Sequence, residues 1–512
     1  MAMPPRDASL RDPVALRHPP GLSTLFLTEM WERFSYYGNR SLLILYMTDH
    51  VHGGLGLDVP VATAIYGLFS AAVYLTALPG GWLADRFLGA QRTLVLGGVV
   101  ILAGNLLLVV PETAAFAIAL ALIAVGSGLL KPNASAIVGQ LYPEGGFRRD
   151  AGFTLFYVGI NVGAVLGPLI CSSLAEHTSW HWGFLPAACG MLAGLLQFRL
   201  TAHRLGEAGR HPNPPPPAAH GPGAGRRRGR RWLLGGGLAL ALLGTLAWVT
   251  LHGTLIALAR VSASAISLLA VVVILGVLWA GRLDADERRR VLVIVLLMAC
   301  SVLFWAGFEQ AGSSLTLFAK DHTQTHLSSL DADIPVGWFQ SINPLAILVL
   351  APLGSALWMH LGRRGRNPAL LRKVAASLAL LAGGYLVMAG AALHCRTSGL
   401  LVSPGWLVAT YLLFTLGEIC ISPIGLSAVA TLAPRRFSSQ MMGLWFLAAA
   451  LGNLVAGLVA SGMGGDALER MPTTFLVLAL ASLLIAGVLA AIAPAIARCL
   501  ASPTVPAEAQ PP

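Results

Sequence analysis

Residues Thr28 to Arg40 read "TEMWERFSYYGNR" and set Glu29, Glu32, Arg33 and Arg40 inside a segment that is otherwise apolar. Why a membrane helix would carry these charges is the question the stretch raises, and the class of the chain comes first. The chain has 512 residues, 56% hydrophobic and 11% charged, and its mean hydropathy of +0.71 exceeds what a soluble domain shows. Apolar runs of about 20 residues recur along almost all of it, each long enough to cross a hydrocarbon core of about 30 Å as a helix. Fourteen such runs are counted, from 22–50 to 473–498, with others at 232–251, 255–280 and 291–319. The expectation is an all-α polytopic membrane protein with 14 transmembrane helices and no soluble domain of useful size.

The polar, Pro-rich start "MAMPPRDASLRDPVALRHPP" lacks the basic, apolar and small-residue order of a cleaved signal peptide. The formal charge of +11 resides in short loops between apolar runs, where arginine sets topology, so no nucleic-acid partner is expected. Arg86 and Arg92, Arg148 and Arg149, Arg226 to Arg231, Arg288 to Arg290, Arg363 to Lys373, and Arg435 with Arg436 fall on one side, taken as cytoplasmic with both termini. Six scattered cysteines show no CxxC or paired-His spacing, so neither a disulfide framework nor a metal site is expected.

One long segment rich in Pro, Gly and Arg cannot pack a core and reads as a linker. The organisation expected is a tail over 1–21, a six-helix bundle over 22–203, a linker over 204–231, an inserted two-helix hairpin over 232–281, a second six-helix bundle over 282–500, and a tail over 501–512. Six plus two plus six is the build of a major facilitator transporter with an inserted hairpin, whose substrate site lies near the membrane midplane. A weak repeat, P-x-G-x6-L-G, joins Pro79–Gly89 to Pro352–Gly362, and the first copy also resembles the cytoplasmic loop motif of that superfamily.

Glu29, Glu32, Glu309 and Glu418 lie well inside apolar runs, as do Arg33 and Lys131. Each charge at mid-membrane costs roughly 2.5 to 3.5 kcal/mol on insertion scales. Charges that only pair to orient helices are a costly way to do what small residues do, so a water-filled cavity carrying an ion, proton or polar substrate is the preferred reading. Glu29, Glu32 and Arg33 are spaced three and four apart, on a helical stripe that continues through Tyr36, Tyr37 and Arg40. Two carboxylates beside one guanidinium titrate as a coupled group, which suits a proton carrier.

Glu29 to Gly38 satisfies E-x-x-E-R-F-x-Y-Y-G, which resembles the first-helix signature of the proton-dependent oligopeptide transporter family. Other blocks similar to that family follow in order: "GSGLLKPNASAIVGQLY" with Lys131, "FYVGINVGAVLGP" with Asn161, "FWAGFEQ" with Glu309, "WFQSINP" with Asn343, and "GEICISPIGLSAVATLAP" with Glu418 and Ser422. The resemblance implies proton-driven import of di- and tripeptides by alternating access, with no cofactor beyond the coupling proton. It implies that Arg33 and Lys131 hold the peptide carboxylate, that Glu418, with Asn161 and Asn343, holds the amine, and that Ser422 is among the substrate-binding residues. It assigns proton coupling to Glu29, Glu32, Arg33 and Glu309, an outer-gate ion pair to Arg40 and Glu309, and pocket walls to Tyr37, Tyr74, Tyr157 and Trp445. Cations at one end and an anion at the other are what a zwitterionic peptide requires.

Mammalian members carry a histidine in the second helix where this chain has Gly67, so no scheme that relies on it applies here. The hairpin resembles that of prokaryotic members, which implies a bacterial inner membrane and a monomer working in a lipid bilayer. Within transport, another small anionic or amino-acid-like solute is the alternative. A membrane enzyme would need a nucleophile and base that the sequence does not display, and a receptor or channel has little use for charges paired between two halves.

Overall fold

The computed structural model describes residues 18–144, 146–212, 255–281, 283–327, 331–366, 368–434, 437–462 and 467–500. The expected span over 232–251, most of the 204–231 linker and most of both tails lie outside them. The chain divides into two compact units, Met1–Gly56 with Ala72–Ala247, and Leu57–Ala71 with Trp248–Pro512. The first contains α1 (Gly21–Thr48), the short α3 (Ala77–Leu83), α4 (Ala90–Leu108), α5 (Thr113–Gln140), α6 (Gly146–His177) and α7 (Trp180–Thr201). The second contains most of α2 (Val59–Leu75), then α8 (Leu255–Ala280), α9 (Ala285–Phe308), α10 (Ser314–His322), α11 (Ile342–Arg363), α12 (Leu370–Ser398), α13 (Gly405–Leu432), α14 (Ser438–Ser461) and α15 (Ala467–Leu500).

Twelve described helices are long and apolar enough to cross a membrane. The helix of the opening stretch is not among them, and its charges are the reason. With 28 residues α1 is long enough, but every 18-residue window of it contains at least three of Glu29, Glu32, Arg33 and Arg40. With α1 counted, thirteen of the fourteen expected spans are present, and the fourteenth is the one outside the described residues. The expected span over 291–319 is interrupted: α9 ends at Phe308, Glu309–Gly312 form a 3₁₀ turn, and Ser313 leaves helical geometry before α10 starts. Among the described residues, extended structure is limited to short loop pairings such as His326–Leu327 with Ala332–Asp333.

In the first unit α1 lies against α6 along a stripe of small residues. A Cβ on Gly163 would meet the Met30 carbonyl and one on Gly167 the Phe34 carbonyl, while one on Gly38 would come 2.6 Å from the Cys171 sulfur. Residues 163, 167 and 171 share one helical face, so the two backbones approach as closely as membrane helices do over small side chains. The unit also holds an apolar core in which Leu94, Ile101, Leu130, Ile137, Met191 and Phe198 are buried together. The described start of the expected linker is docked: Gln91 donates from N to the Gly209 carbonyl (2.8 Å) and from Nε2 to the Ala208 carbonyl (2.7 Å), and Gly209 N donates to Gln140 Oε1 (2.6 Å).

Gly67 has a steric explanation. A Cβ there would lie 2.9 Å from the Gly457 Cα on α14, so this crossing leaves no room for an imidazole.

The chain leaves α1 through a turn organised by Asp49. Its carboxylate accepts from Val51 N, His52 N, Gly54 N and Trp180 Nε1, the last at 2.8 Å. Burial alone would push this carboxyl up, but the bonds from Trp180, Val51 and His52 outweigh it and hold it at about 2. Being held below its ordinary value of 3.8, the group adds stability that is fully present above that pH and is lost as pH falls through about 2. We expect Asp49→Ala to cost about 2 kcal/mol at pH 7 and about half of that at pH 3. Thermal unfolding midpoints in detergent at the two pH values check this, the gap from wild type narrowing on acidification.

Candidate functional site

Helical spacing puts Glu29, Glu32 and Arg33 on one face of α1, and the structure closes them on each other. Arg33 Nε donates to Glu29 Oε1 at 2.9 Å, one turn back, and Arg33 Nη2 lies 2.7 Å from Glu32 Oε2. All three are buried, at 3%, 1% and 5% exposure, so the pairing is what makes the ions tolerable. Glu32 accepts from Ser127 Oγ of α5 at 3.2 Å through Oε1, while Glu29 Oε2 and Glu32 Oε2 have no hydrogen-bond partner among the described residues.

Lys131 makes no ion pair among the described residues. Its Nζ sits over the rings of Tyr36 (4.7 Å) and Tyr74 (5.4 Å), and Tyr36 also faces Arg33 (5.7 Å). Tyr36 is therefore a ring neighbour shared by the two cations expected to hold a carboxylate. Arg40 lies over Tyr37 at 5.6 Å, and Tyr37 meets Tyr36 edge-on at 5.3 Å. Four ions, Glu29, Glu32, Arg33 and Lys131, thus occupy one polar region with formal charges that cancel. Asn161 stands apart from them by its hydrogen bond: its Nδ2 donates to the Tyr157 carbonyl of its own helix at 2.9 Å, and the Tyr157 side chain is exposed.

A second polar layer holds α1 in rotation. Asn39 Nδ2 donates to Asn105 Oδ1 (2.7 Å), and Asn105 Nδ2 donates to Ser35 Oγ (2.6 Å) and to the Ala187 carbonyl of α7 (3.3 Å). Ser41 and Ser172 pair at 3.1 Å between α1 and α6. Ser35, Asn39 and Ser41 are buried, and their bonds fix which face of α1 carries the ions. None of Ser127, Asn105, Ser35, Asn39 or Tyr36 was picked as a site residue from the sequence. The available signal was the lone Asn105 within the apolar α4.

In the second unit α11 and α13 bring Asn343 and Glu418 together: Asn343 Nδ2 donates to Glu418 Oε2 (2.9 Å) and to Thr415 Oγ1 (3.0 Å). Ser422, one turn beyond Glu418, has a buried hydroxyl without a hydrogen-bond partner among the described residues. Trp445 of α14 lies on Gly425 so closely that a Cβ there would enter its ring. Glu309 is buried in the 3₁₀ turn between α9 and α10. The adjoining Gln310 anchors that turn by donating to the Ala456 carbonyl (2.9 Å) and accepting from Ser314. Broken helices of this kind form ion and substrate sites in transporters.

The profile of the POT family matches residues 91–465. The chain is 40% identical to the "Peptide transporter YePEPT" of Yersinia enterocolitica, covering 92% of this chain and 93% of that one. It is 36% identical to the "Di-/tripeptide transporter" of Lactococcus lactis subsp. cremoris, covering 84% and 86%. Among solved structures it superposes on the peptide transporter POT in complex with sulfate at a TM-score of 0.83, with 38% identity over 94% of this chain and 96% of that one.

The Asn105 layer gives a prediction. Asn105→Leu strands the Asn39 and Ser35 polar groups in an apolar interior, at a cost of about 2 kcal/mol. The thermal midpoint in detergent should fall, while Asn105→Gln, which keeps an amide, should fall less.

Proposed function

The chain belongs to the POT family, and from that membership we propose that it imports di- and tripeptides together with protons by alternating access of a major facilitator fold. Membership places it among multi-pass membrane transporters and outside the enzymes. We assign it to a bacterial inner membrane, with both termini in the cytoplasm and one chain as the working unit. The relatives' names favour peptides over the alternative of another small solute.

The observation that carries the reading is the cluster in which Arg33 is shared by Glu29 and Glu32. Together with Lys131 it is formally neutral. A proton taken by one carboxylate leaves one positive charge, which the C-terminal carboxylate of a peptide neutralises. Proton and peptide then promote each other's binding, as reciprocal linkage requires. Arg33 and Lys131 take the carboxylate, and Tyr37 and Tyr74 line that end with surfaces apolar in the ring and polar at the tip. At the other end Glu418, already held by Asn343, takes the ammonium. The family resemblance adds Asn161, Ser422, Tyr157 and Trp445 to the peptide-binding residues and assigns the outer gate to Arg40 and Glu309. Binding neutralises the charged cavity and permits the halves to exchange access.

Proteoliposomes loaded at neutral pH and diluted into acidic buffer should accumulate labelled dialanine, and lose that accumulation when a protonophore dissipates the gradient. Accumulation indifferent to the gradient removes proton coupling. Lys131→Ala should raise the KM for dialanine at least tenfold, and an unchanged KM removes Lys131 from the carboxylate site.

A further inference from the structure

From residue 334 to residue 417 the chain contains no aspartate or glutamate, yet Arg363, Arg364, Arg366, Arg372 and Lys373 fall within eleven residues of that stretch. Setting topology does not require such density. The first copy of the repeat, Pro79–Gly89, contains one arginine, Arg86, beside Asp85, and in the second copy Trp358 occupies the place of that aspartate. Three cations near other helix ends do have acidic partners: Arg148 pairs with Glu144, Arg210 with Glu207 and Arg289 with Asp286. The five between α11 and α12 have no carboxylate partner among the described residues.

Local structure concentrates these charges. α11 closes in a tight turn in which Arg364 N donates to the His360 carbonyl (3.2 Å), Gly365 N to that of Gly362 (3.0 Å) and Arg366 N to that of Leu361 (2.9 Å). Gly365 takes φ +66°, a conformation that suits glycine, and ends the helix directly after Arg363 and Arg364. Arg363, Arg364, Arg366 and Arg372 are exposed. Lys373 Nζ rests 4.6 Å from the centre of the Trp358 ring, joining the start of α12 to the end of α11. Immediately beyond the charges α11 presents exposed Leu353, Leu357 and Met359. A patch of unpaired cations, an interfacial tryptophan and an adjoining apolar helix surface match the three parts of a phospholipid: phosphate, interface and acyl chain.

We propose that the α11–α12 turn is a binding site for the phosphate headgroup of an anionic membrane lipid, with Arg364, Arg366, Arg372 and Lys373 as its cations and Trp358 as its interfacial anchor. The guanidinium groups take the phosphate oxygens in paired hydrogen bonds, and the acyl chains lie along α11. The site is independent of the peptide-binding residues.

The test uses the full chain in nanodiscs of equal phosphatidylglycerol and phosphatidylcholine, with retained lipid counted by native mass spectrometry. The wild type should retain phosphatidylglycerol about fivefold over its share. The triple variant R364Q/R366Q/R372Q should return to the bulk ratio, and R288Q/R289Q/R290Q, which removes as many cations at the start of α9, should keep the enrichment. Absence of enrichment in the wild type, or equal loss in both triples, overturns the site and leaves only general surface charge. If the first triple fails to insert, Arg366→Glu alone should cut the enrichment at least threefold, and unchanged enrichment there is equally fatal. Inorganic phosphate is the last arm: a thermal shift with phosphate in lipid-free detergent, without phosphatidylglycerol enrichment, identifies a free-anion site and overturns the lipid assignment.

Discussion

A guanidinium in the middle of a membrane helix is tolerable only if its charge is answered nearby, and in α1 the answer is double. Arg33 holds Glu29 through Nε and Glu32 through Nη2, so three ions of one helix form a single buried unit. Other features of the first unit can be understood as consequences. α1 must not rotate, and the Asn39–Asn105–Ser35 layer holds it in place. It must lie close to α6, and Gly163 and Gly167 allow that. The second cation shares a ring with the first, since Lys131 and Arg33 both lie over Tyr36.

The stripe from Glu29 to Arg40 was legible in sequence because helical spacing is a property of one helix. What escaped were partners supplied by other helices. Ser127 sits four residues before Lys131 within a quoted block and shares its helical face, yet only packing shows that its hydroxyl reaches Glu32 of another helix. Asn105 appears as one amide in an apolar run, and only packing shows that it bonds both α1 and α7. The pairing of Asn343 with Glu418 was expected from family resemblance rather than from spacing, and the two side chains meet through a hydrogen bond.

The fold shows the same division. Run lengths and hydropathy located the spans, since crossing a bilayer constrains length and composition directly. Hydropathy missed the break at Glu309–Gly312, because the run is apolar on both sides and the interruption is made by Gln310 bonding across to Ala456. It also read the start of the 204–231 linker as unattached, where Gln91 and Gln140 tie Ala208 and Gly209 down. Gly67 posed a question that sequence alone left open, and the close crossing with Gly457 answers it sterically.

The central claim is that the Arg33-centred cluster carries the proton that drives the peptide. The direct measurement is the number of protons entering per dipeptide, read from a pH-sensitive dye inside proteoliposomes together with labelled dipeptide uptake. A ratio is unaffected by how much of the protein is active. The account predicts that Glu32→Gln lowers this ratio below that of the wild type, and an unchanged ratio in Glu32→Gln would contradict it.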